Sequence, residues 1–240
     1  MIPMAKSLQT ENGPEAGLYL VGTPIGNLGD ITLRAIEVLR QADLILAEDT
    51  RQTRKLLSRY DIHRPLQSCH RFREASRIDE IVGRLQSGER VALVSDSGMP
   101  CVSDPGSRIV AACRDEGLEV RVVPGPSAVT SAAALSGFDG RGFLFDGFLP
   151  VRPGARRRRL QELSATDQPV IFFEGPHRII ATLEILVDLM PERRLYIGRE
   201  LTKKFESSLS GTPAQLLEHF RRQAPRGEFV LVLAPGTGCM

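Results

Sequence analysis

The chain has 240 residues, with 31 Lys+Arg against 29 Asp+Glu and a formal charge of +2. At 42% hydrophobic and 25% charged residues, the composition excludes wholesale disorder, and the near-neutral total excludes a protein that coats nucleic acid indiscriminately. No apolar run approaches the ~20 residues of a membrane span, and no secretion signal is expected.

Residues 1–16 read as an N-terminal extension. A first strand at 17–22 leads through a turn-rich loop, Thr23 to Asp30, into a helix carrying Leu33, Ile36, Val38 and Leu39. Strand 43–47, helix 50–60, a third strand at 65–69, a helix from Ala75 to Gln86 and strand 91–94 follow. The last of these is short, unbroken and apolar, as buried parallel strands are. Helix 107–116 and strand 118–123 complete the first half, and the alternation of strands with helices argues for an open α/β sheet. Pro124-Gly125-Pro126 then precedes a small-residue helix, Ser127 to Ser136. Residues 137–155, rich in Gly, Phe, Pro and Arg, read as a long loop or linker. Helix 155–165, strand 169–173, helix 177–190, strands 194–199 and 205–210, helix 213–221 and strand 228–233 end the series. Helices and short turns both separate these later strands, which points to a mixed sheet. The expected domains are 17–123 and 124–240.

The four cysteines (Cys69, Cys101, Cys113, Cys239) form no C-x-x-C pair, and the four histidines lack ligand spacing. Reduced buried thiols, no disulfide framework and no metal are expected. Only four of the basic residues are lysines (Lys6, Lys55, Lys203, Lys204), so the rest are arginines, which grip phosphate and carboxylate in a bidentate fork.

Several loops carry chemistry. Gly22-Thr23-Pro24-Ile25-Gly26-Asn27-Leu28-Gly29-Asp30 is not the G-x-G-x-x-G dinucleotide fingerprint, which disfavours a dehydrogenase. The loop from Ser95 to Gly106 packs two Ser-Asp pairs, two Gly and two Pro behind a buried strand, a pattern of binding loops. There Asp96 could accept hydrogen bonds from a ribose or an amino group. Ser127 is a natural N-cap, and the helix start it makes suits an anionic or hydrogen-accepting group. Three strand ends set carboxylates beside cations: Glu48-Asp49-Thr50-Arg51, Glu174-Gly175-Pro176-His177-Arg178, and Arg199-Glu200 through Lys203 to Glu206. Read plainly, each is a surface ion pair; together they suggest a shared polar site. Arg156-Arg157-Arg158-Arg159, with Arg152 upstream, is either a solvated helix face or a phosphate-binding block.

In order, GTPIGNLGD (22–30), AEDTR (47–51), SDSGMPCVSDPG (95–106), VPGPSAVTSA (123–132), FEGPHR (173–178) and GRELTKKFE (198–206) resemble the ribosomal small subunit methyltransferase I family of the tetrapyrrole methylase superfamily. The resemblance runs from about Gly17 to Ala234. Ser-Gly-Met-Pro and Glu-Gly-Pro-His stand where relatives usually carry Ala-Gly-Thr-Pro and Glu-Ser/Ala-Pro-His. Members commonly continue into a small helical C-terminal segment, whereas this sequence stops shortly after its last expected strand. The resemblance implies two αβα domains with S-adenosylmethionine (SAM) in the interdomain cleft, and SAM-dependent 2′-O-methylation of a decoding-region cytidine in 16S rRNA. It implies cofactor contacts at Pro24, Ile25, Asp96, Met99, Pro100, Val102, Ser127, Ala128, Phe173, Leu201 and Glu228. It also implies a protein working on the small ribosomal subunit, often as a homodimer; the cysteine usage points to a cytoplasmic protein, no membrane association is expected, and the in-line chemistry calls for neither metal nor flavin.

Methyl transfer to a ribose hydroxyl is an in-line displacement that positioning accelerates and a base assists. Asp49, Glu174 and Glu200 are the candidate bases, with Arg51, Arg178 and Lys203 holding phosphate or lowering the hydroxyl pKa. The Arg152 and Arg156–Arg159 set is the expected rRNA contact. Two other readings stay open: an enzyme of the superfamily methylating a tetrapyrrole carbon, and a SAM-binding RNA chaperone without turnover.

Overall fold

The computed structural model describes residues 15–70 and 74–236. Most of the expected N-terminal extension, and Cys239, lie outside the described residues. The chain divides into two compact units, one formed by Met1–Pro24 with Leu28–Pro126, the other by Ile25–Asn27 with Ser127–Met240.

The first unit is built on a five-stranded sheet of β1 (Gly17–Val21), β2 (Leu44–Ala47), β3 (Leu66–Ser68), β4 (Arg90–Val94) and β5 (Val120–Val123), in the order β3-β2-β4-β1-β5. Every pairing in it is parallel. The central strands are apolar without interruption because α1 (Leu33–Gln41), α2 (Thr50–Arg59), α3 (Glu74–Gln86) and α4 (Ser107–Asp115) must cover both faces. One cluster packs Tyr19, Val21 and Ile45 beneath Leu39, Leu56 and Leu57, and the other packs Leu18, Leu46 and Leu93 against Ile81 and Ile109.

Register decides where the loops emerge. Val94 is opposite both Ala47 and Val21, and Val21 is opposite Val123. The carboxyl ends of β2, β4, β1 and β5 therefore share one row. Glu48, Ser95, Gly22 and Pro124 leave the sheet side by side, at the edge where open α/β sheets bind ligands.

The second unit has α5 (Ala128–Ser136), α6 (Pro153–Ser164), α7 (Ile179–Leu189) and α8 (Pro213–Arg222) around β6 (Leu144–Phe148), β7 (Val170–Glu174), β8 (Leu195–Arg199), β9 (Ser207–Gly211) and β10 (Phe229–Leu233). The order is β6-β7-β10-β8-β9; β6 runs parallel to β7, and the other neighbours are antiparallel. Phe172, Leu183, Leu231 and Phe220 anchor its larger core. Thr212 and Gln215 form a capping box that starts α8.

One expectation needs correction: residues 144–148 are a strand, not linker. The register of β6 against β7 shifts between Phe145 and Phe148, where Gly147 takes φ +68°. This bulge breaks the period-two alternation that would mark a strand.

Candidate active site

In the first unit the row of strand ends is drawn together by backbone. Thr23 and Gly98 exchange both N–H···O bonds, at 2.9 and 3.1 Å. The buried Thr23 hydroxyl lies 3.2 Å from the Ser95 carbonyl and 3.3 Å from that of Gly98, and Ser95 Oγ donates to Gly98 at 3.1 Å. Gly22 and Gly125 touch: a Cβ on Gly22 would sit 2.7 Å from Gly125 N and 2.7 Å from Met99 Sδ. Only glycine permits that approach. Pro24, Asp96, Met99, Pro100 and Val102 are thus carried on two loops stitched to each other. Pro24 and Pro100 are buried, Met99 is half-buried, and Asp96 and Val102 are exposed.

The 95–106 loop is held in unusual backbone. Cys101 and Ser103 both take φ +68°, in the left-handed region. Such residues cost free energy and cluster where function over-determines geometry. Asp96 accepts a hydrogen bond from the Asp49 N–H at 2.9 Å. Although the residue is exposed overall, partial desolvation of its carboxylate, with the Asp49 charge beside it, raises its pKa above the usual carboxylate value. Asp104 goes further: burial first, then the Glu48 carboxylate, push it up to about 6. Sequence reasoning passed over Asp104, although it is the second of the two Ser-Asp pairs.

Asp49 proves to be the N-cap of α2, accepting from Arg51 N at 2.8 Å. The Arg51 guanidinium closes on the same carboxylate, with Nη2 to Oδ2 at 2.7 Å. That hydrogen bonding holds Asp49 down at about 2, which makes it a poor proton acceptor near neutrality.

In the second unit, Ile25, Leu201 and Val230 form one apolar cluster with Ala128 and Phe173 packed against it. Four of the expected cofactor contacts therefore share a surface. Gly26 lies so close to the 201–203 turn that a Cβ would stand 3.0 Å from the Leu201 carbonyl, and Asn27 N donates to Thr202 Oγ1 at 3.1 Å. Ser127 is the N-cap of α5 by backbone, but its side chain makes no capping bond to the helix.

The ends of β7 and β8 lie on one edge of the sheet, with Glu174 and Arg199 both opposite Phe229. The two charged clusters there are built differently. Glu174 is buried, and its carboxylate accepts from Gly175 N at 2.9 Å and Thr182 Oγ1 at 2.7 Å and pairs with Arg178 at 2.8 Å. Arg178 also donates to the Leu149 carbonyl at 2.6 Å. Buried Arg156 joins the same network, donating to Thr182 Oγ1 at 3.1 Å and the Val151 carbonyl at 3.1 Å. This corrects two expectations. Glu174 is enclosed and engaged, so it cannot reach a substrate hydroxyl as base, and Arg156 is a core residue unavailable to phosphate.

The remaining arginine block divides likewise. Arg159 binds Asp146 and Glu162, and Arg157 pairs with Asp188 at 3.1 Å. Arg152 and Arg158 are exposed. A uniformly phosphate-facing block is therefore not what the fold presents.

Glu200, at φ +50°, accepts from Glu228 N at 2.8 Å and Lys203 Nζ at 3.1 Å, and Lys203 reaches Glu228 at 2.8 Å. Burial opposes ionisation of Glu200, but the Glu228 N–H and the Lys203 ammonium win, holding it below the ordinary carboxylate value. All three candidate bases are thus committed to partners.

Among the described residues there is no group of three or more His, Cys, Asp or Glu that could hold a metal, and no helix is long and apolar enough to cross a membrane.

Comparison with known proteins assigns the architecture. Residues 17–217 match the tetrapyrrole (corrin/porphyrin) methylases. The solved structure of uroporphyrin-III C-methyltransferase from Thermus thermophilus superposes with a TM-score of 0.64 at 20% identity, covering 91% of this chain and 94% of that one. Diphthine synthase superposes at 0.67 with 18% identity, covering 90% and 89%. At these identities the likeness concerns the fold. Sequence relatives are nearer: the ribosomal RNA small subunit methyltransferase I of Thermotoga maritima is 48% identical across 90% of this chain and 97% of its own length. Its namesakes from Mesorhizobium japonicum and Neisseria meningitidis are each 46% identical, covering 92% and 96% of this chain and 76% and 80% of their own. With the parallel sheet, the glycine-tightened loops at its carboxyl edge and this identity in hand, the chain belongs to the ribosomal RNA small subunit methyltransferase I family of the tetrapyrrole methylases.

Proposed function

We propose that this protein transfers a methyl group from SAM to the 2′-oxygen of a cytidine in the decoding region of 16S rRNA, on the small ribosomal subunit. The observation that carries this reading is membership of the family, whose near relatives are named for rRNA. When bound, SAM supplies an electrophilic methyl on a positively charged sulfur, chemistry that asks for alignment and requires no metal.

The residues present fit that donor. Exposed Asp96, already accepting from Asp49 N, has a second carboxylate oxygen for an amino or ribose group. Met99 and Val102 offer apolar surface beside it. In the second unit half-buried Ala128 and Phe173 present apolar surface over buried Ile25 and Leu201, and the α5 N-terminus that follows Ser127 keeps N–H groups its own cap does not use. Pro24, Pro100 and Glu228 complete the proposed contacts.

Arg51 and Lys203 are proposed to orient substrate phosphate, because each sits at a strand end with part of its cation exposed. With Asp49, Glu174 and Glu200 engaged, positioning of the hydroxyl oxygen is the larger contribution: the O–C bond forms as the S–C bond breaks, the sulfur leaves as a neutral thioether, and the hydroxyl proton passes to water. The same reading makes the protein cytoplasmic and homodimeric. Transfer of labelled methyl from SAM to unmodified small subunits tests it. Label on the ribose of one cytidine is expected. Label on a tetrapyrrole instead, or SAM binding without transfer, would replace this reading.

A further inference from the structure

Helix α2 presents a cationic face with no acidic residue on the helix. Its sequence is TRQTRKLLSR. Thr53, Leu56 and Leu57 are buried, while Arg51, Arg54, Lys55, Ser58 and Arg59 are exposed. Positions 51, 54, 55, 58 and 59 follow the spacing of one helix face. Arg51 is paired with Asp49, and Lys55 Nζ donates to Gln52 at 3.0 Å. Among the described residues neither Arg54 nor Arg59 has a carboxylate partner.

The face continues beyond the helix. Exposed Arg40 donates to the Tyr60 carbonyl at 3.1 Å, and exposed Arg64 donates to the Arg40 carbonyl at 2.5 Å. The acidic neighbour at that end, Asp61, is paired with His63 at 2.8 Å. Most arginines of α3, α6 and α8 are engaged by carboxylates. Arg157 and Arg159 of α6 meet Asp188, Asp146 and Glu162, Arg221 and Arg222 of α8 meet Glu184 and Glu218, and Arg77 and Arg84 of α3 meet Glu80 and Glu89.

We propose that the exposed face of α2, extended by Arg40 and Arg64, is the surface that holds the phosphate backbone of the substrate RNA. This rests on the rRNA reading above and deepens it. The helix starts at Asp49, whose N–H bonds Asp96, so the cationic row begins beside the proposed donor site and leads away from it. From residue 51 to 59 it rises about 12 Å, enough to meet more than one phosphate along a strand. Like charges left unpaired on one face repel one another and lower stability slightly, and a polyanion relieves that cost.

The test uses the full chain and small ribosomal subunits from cells lacking the modification. The triple variant Arg54→Gln, Lys55→Gln, Arg59→Gln keeps good helix formers at exposed positions. Its SAM affinity by calorimetry should equal that of the unsubstituted chain. Its affinity for subunits should fall roughly tenfold or more at low salt, and the slope of log K against log salt should drop by about 2 to 3. Arg54→Lys with Arg59→Lys should keep the slope, since phosphate contact of this kind needs charge. Arg157→Gln with Arg158→Gln on α6 should leave it unchanged. A triple variant with unaltered slope, or a slope lost through α6 instead, overturns the proposal. So does normal binding to protein-free rRNA with lost binding to intact subunits, which would assign the face to a ribosomal protein. If the unsubstituted chain methylates no subunits, the substrate reading falls as well; if it does and the slope is unmoved, the surface alone falls.

Discussion

Between about pH 4 and 6 the folded chain keeps on Asp104 a proton that the unfolded chain releases. Burial and the Glu48 charge raise its pKa to about 6 in the folded state. A raised carboxylate destabilises the fold once it must ionise, so stability should fall as pH climbs from about 4 through 6. Asp104→Asn removes that ionisation. It is expected to flatten the slope and to gain about 1 kcal/mol at pH ~8, the shift being discounted for solvent screening. Urea unfolding across that window measures it. Glu174 makes a second case at this scale. Glu174→Gln should cost about 3 kcal/mol by leaving Arg178 without its charge partner. Activity per folded molecule should persist, whereas removal of a general base would lose about a hundredfold or more. Denaturation midpoints and rates normalised to the folded fraction separate the two.

At the scale of elements, the stitched loops at the carboxyl edge of the first sheet frame the proposed donor site. Gly22 and Gly125 are in backbone contact, and Met99 Sδ stands over Gly22. Gly22→Ala puts a methyl where backbone already stands, and overpacking of this kind costs about 1–3 kcal/mol. The displaced 95–99 loop should lower SAM affinity by about tenfold or more, with the far-ultraviolet circular dichroism unchanged. Calorimetry against SAM checks this; full affinity would show that the loops adjust freely. The α8 capping box offers a control away from the site. Thr212→Ala should cost about 1 kcal/mol without touching SAM affinity.

For the whole molecule, the two units each have cores of their own, so neither depends on RNA for its fold. The burden on the substrate is different. A 2′-hydroxyl inside a helix is reached only across the shallow groove, so the proposed reading asks for a cytidine presented by folded RNA. With a formal charge of +2, the chain cannot hold an arbitrary strand by charge alone. Intact small subunits should therefore be methylated much faster than a short oligonucleotide of the same sequence at matched salt. Equal initial rates would show that a simple single-strand site suffices.

Much of the fold is written in local pattern. The unbroken apolar runs of β2, β4 and β10 and the spacing of Ile78, Ile81 and Leu85 mark buried strands and a covered helix face, because burial acts on side chains a few residues apart. The motifs from Gly22 to Glu206 likewise carry the family, since glycines and prolines record backbone needs directly. Strand β6 was hidden because its bulge at Gly147 disrupts the alternation, and only pairing with β7 makes it a strand. The roles of charged residues were hidden for a deeper reason. Glu174 and Arg156 look alike in sequence to surface ion pairs, yet α6 and α7 close over them and turn both into core. The four-arginine run met carboxylates from Asp146, Glu162 and Asp188, while the sparser row on α2 met few. A charge is read by what faces it, and its neighbours come from elements distant in the chain. Sequence by itself determined the elements and the family; only the tertiary structure decided which charges stay free to meet a ligand.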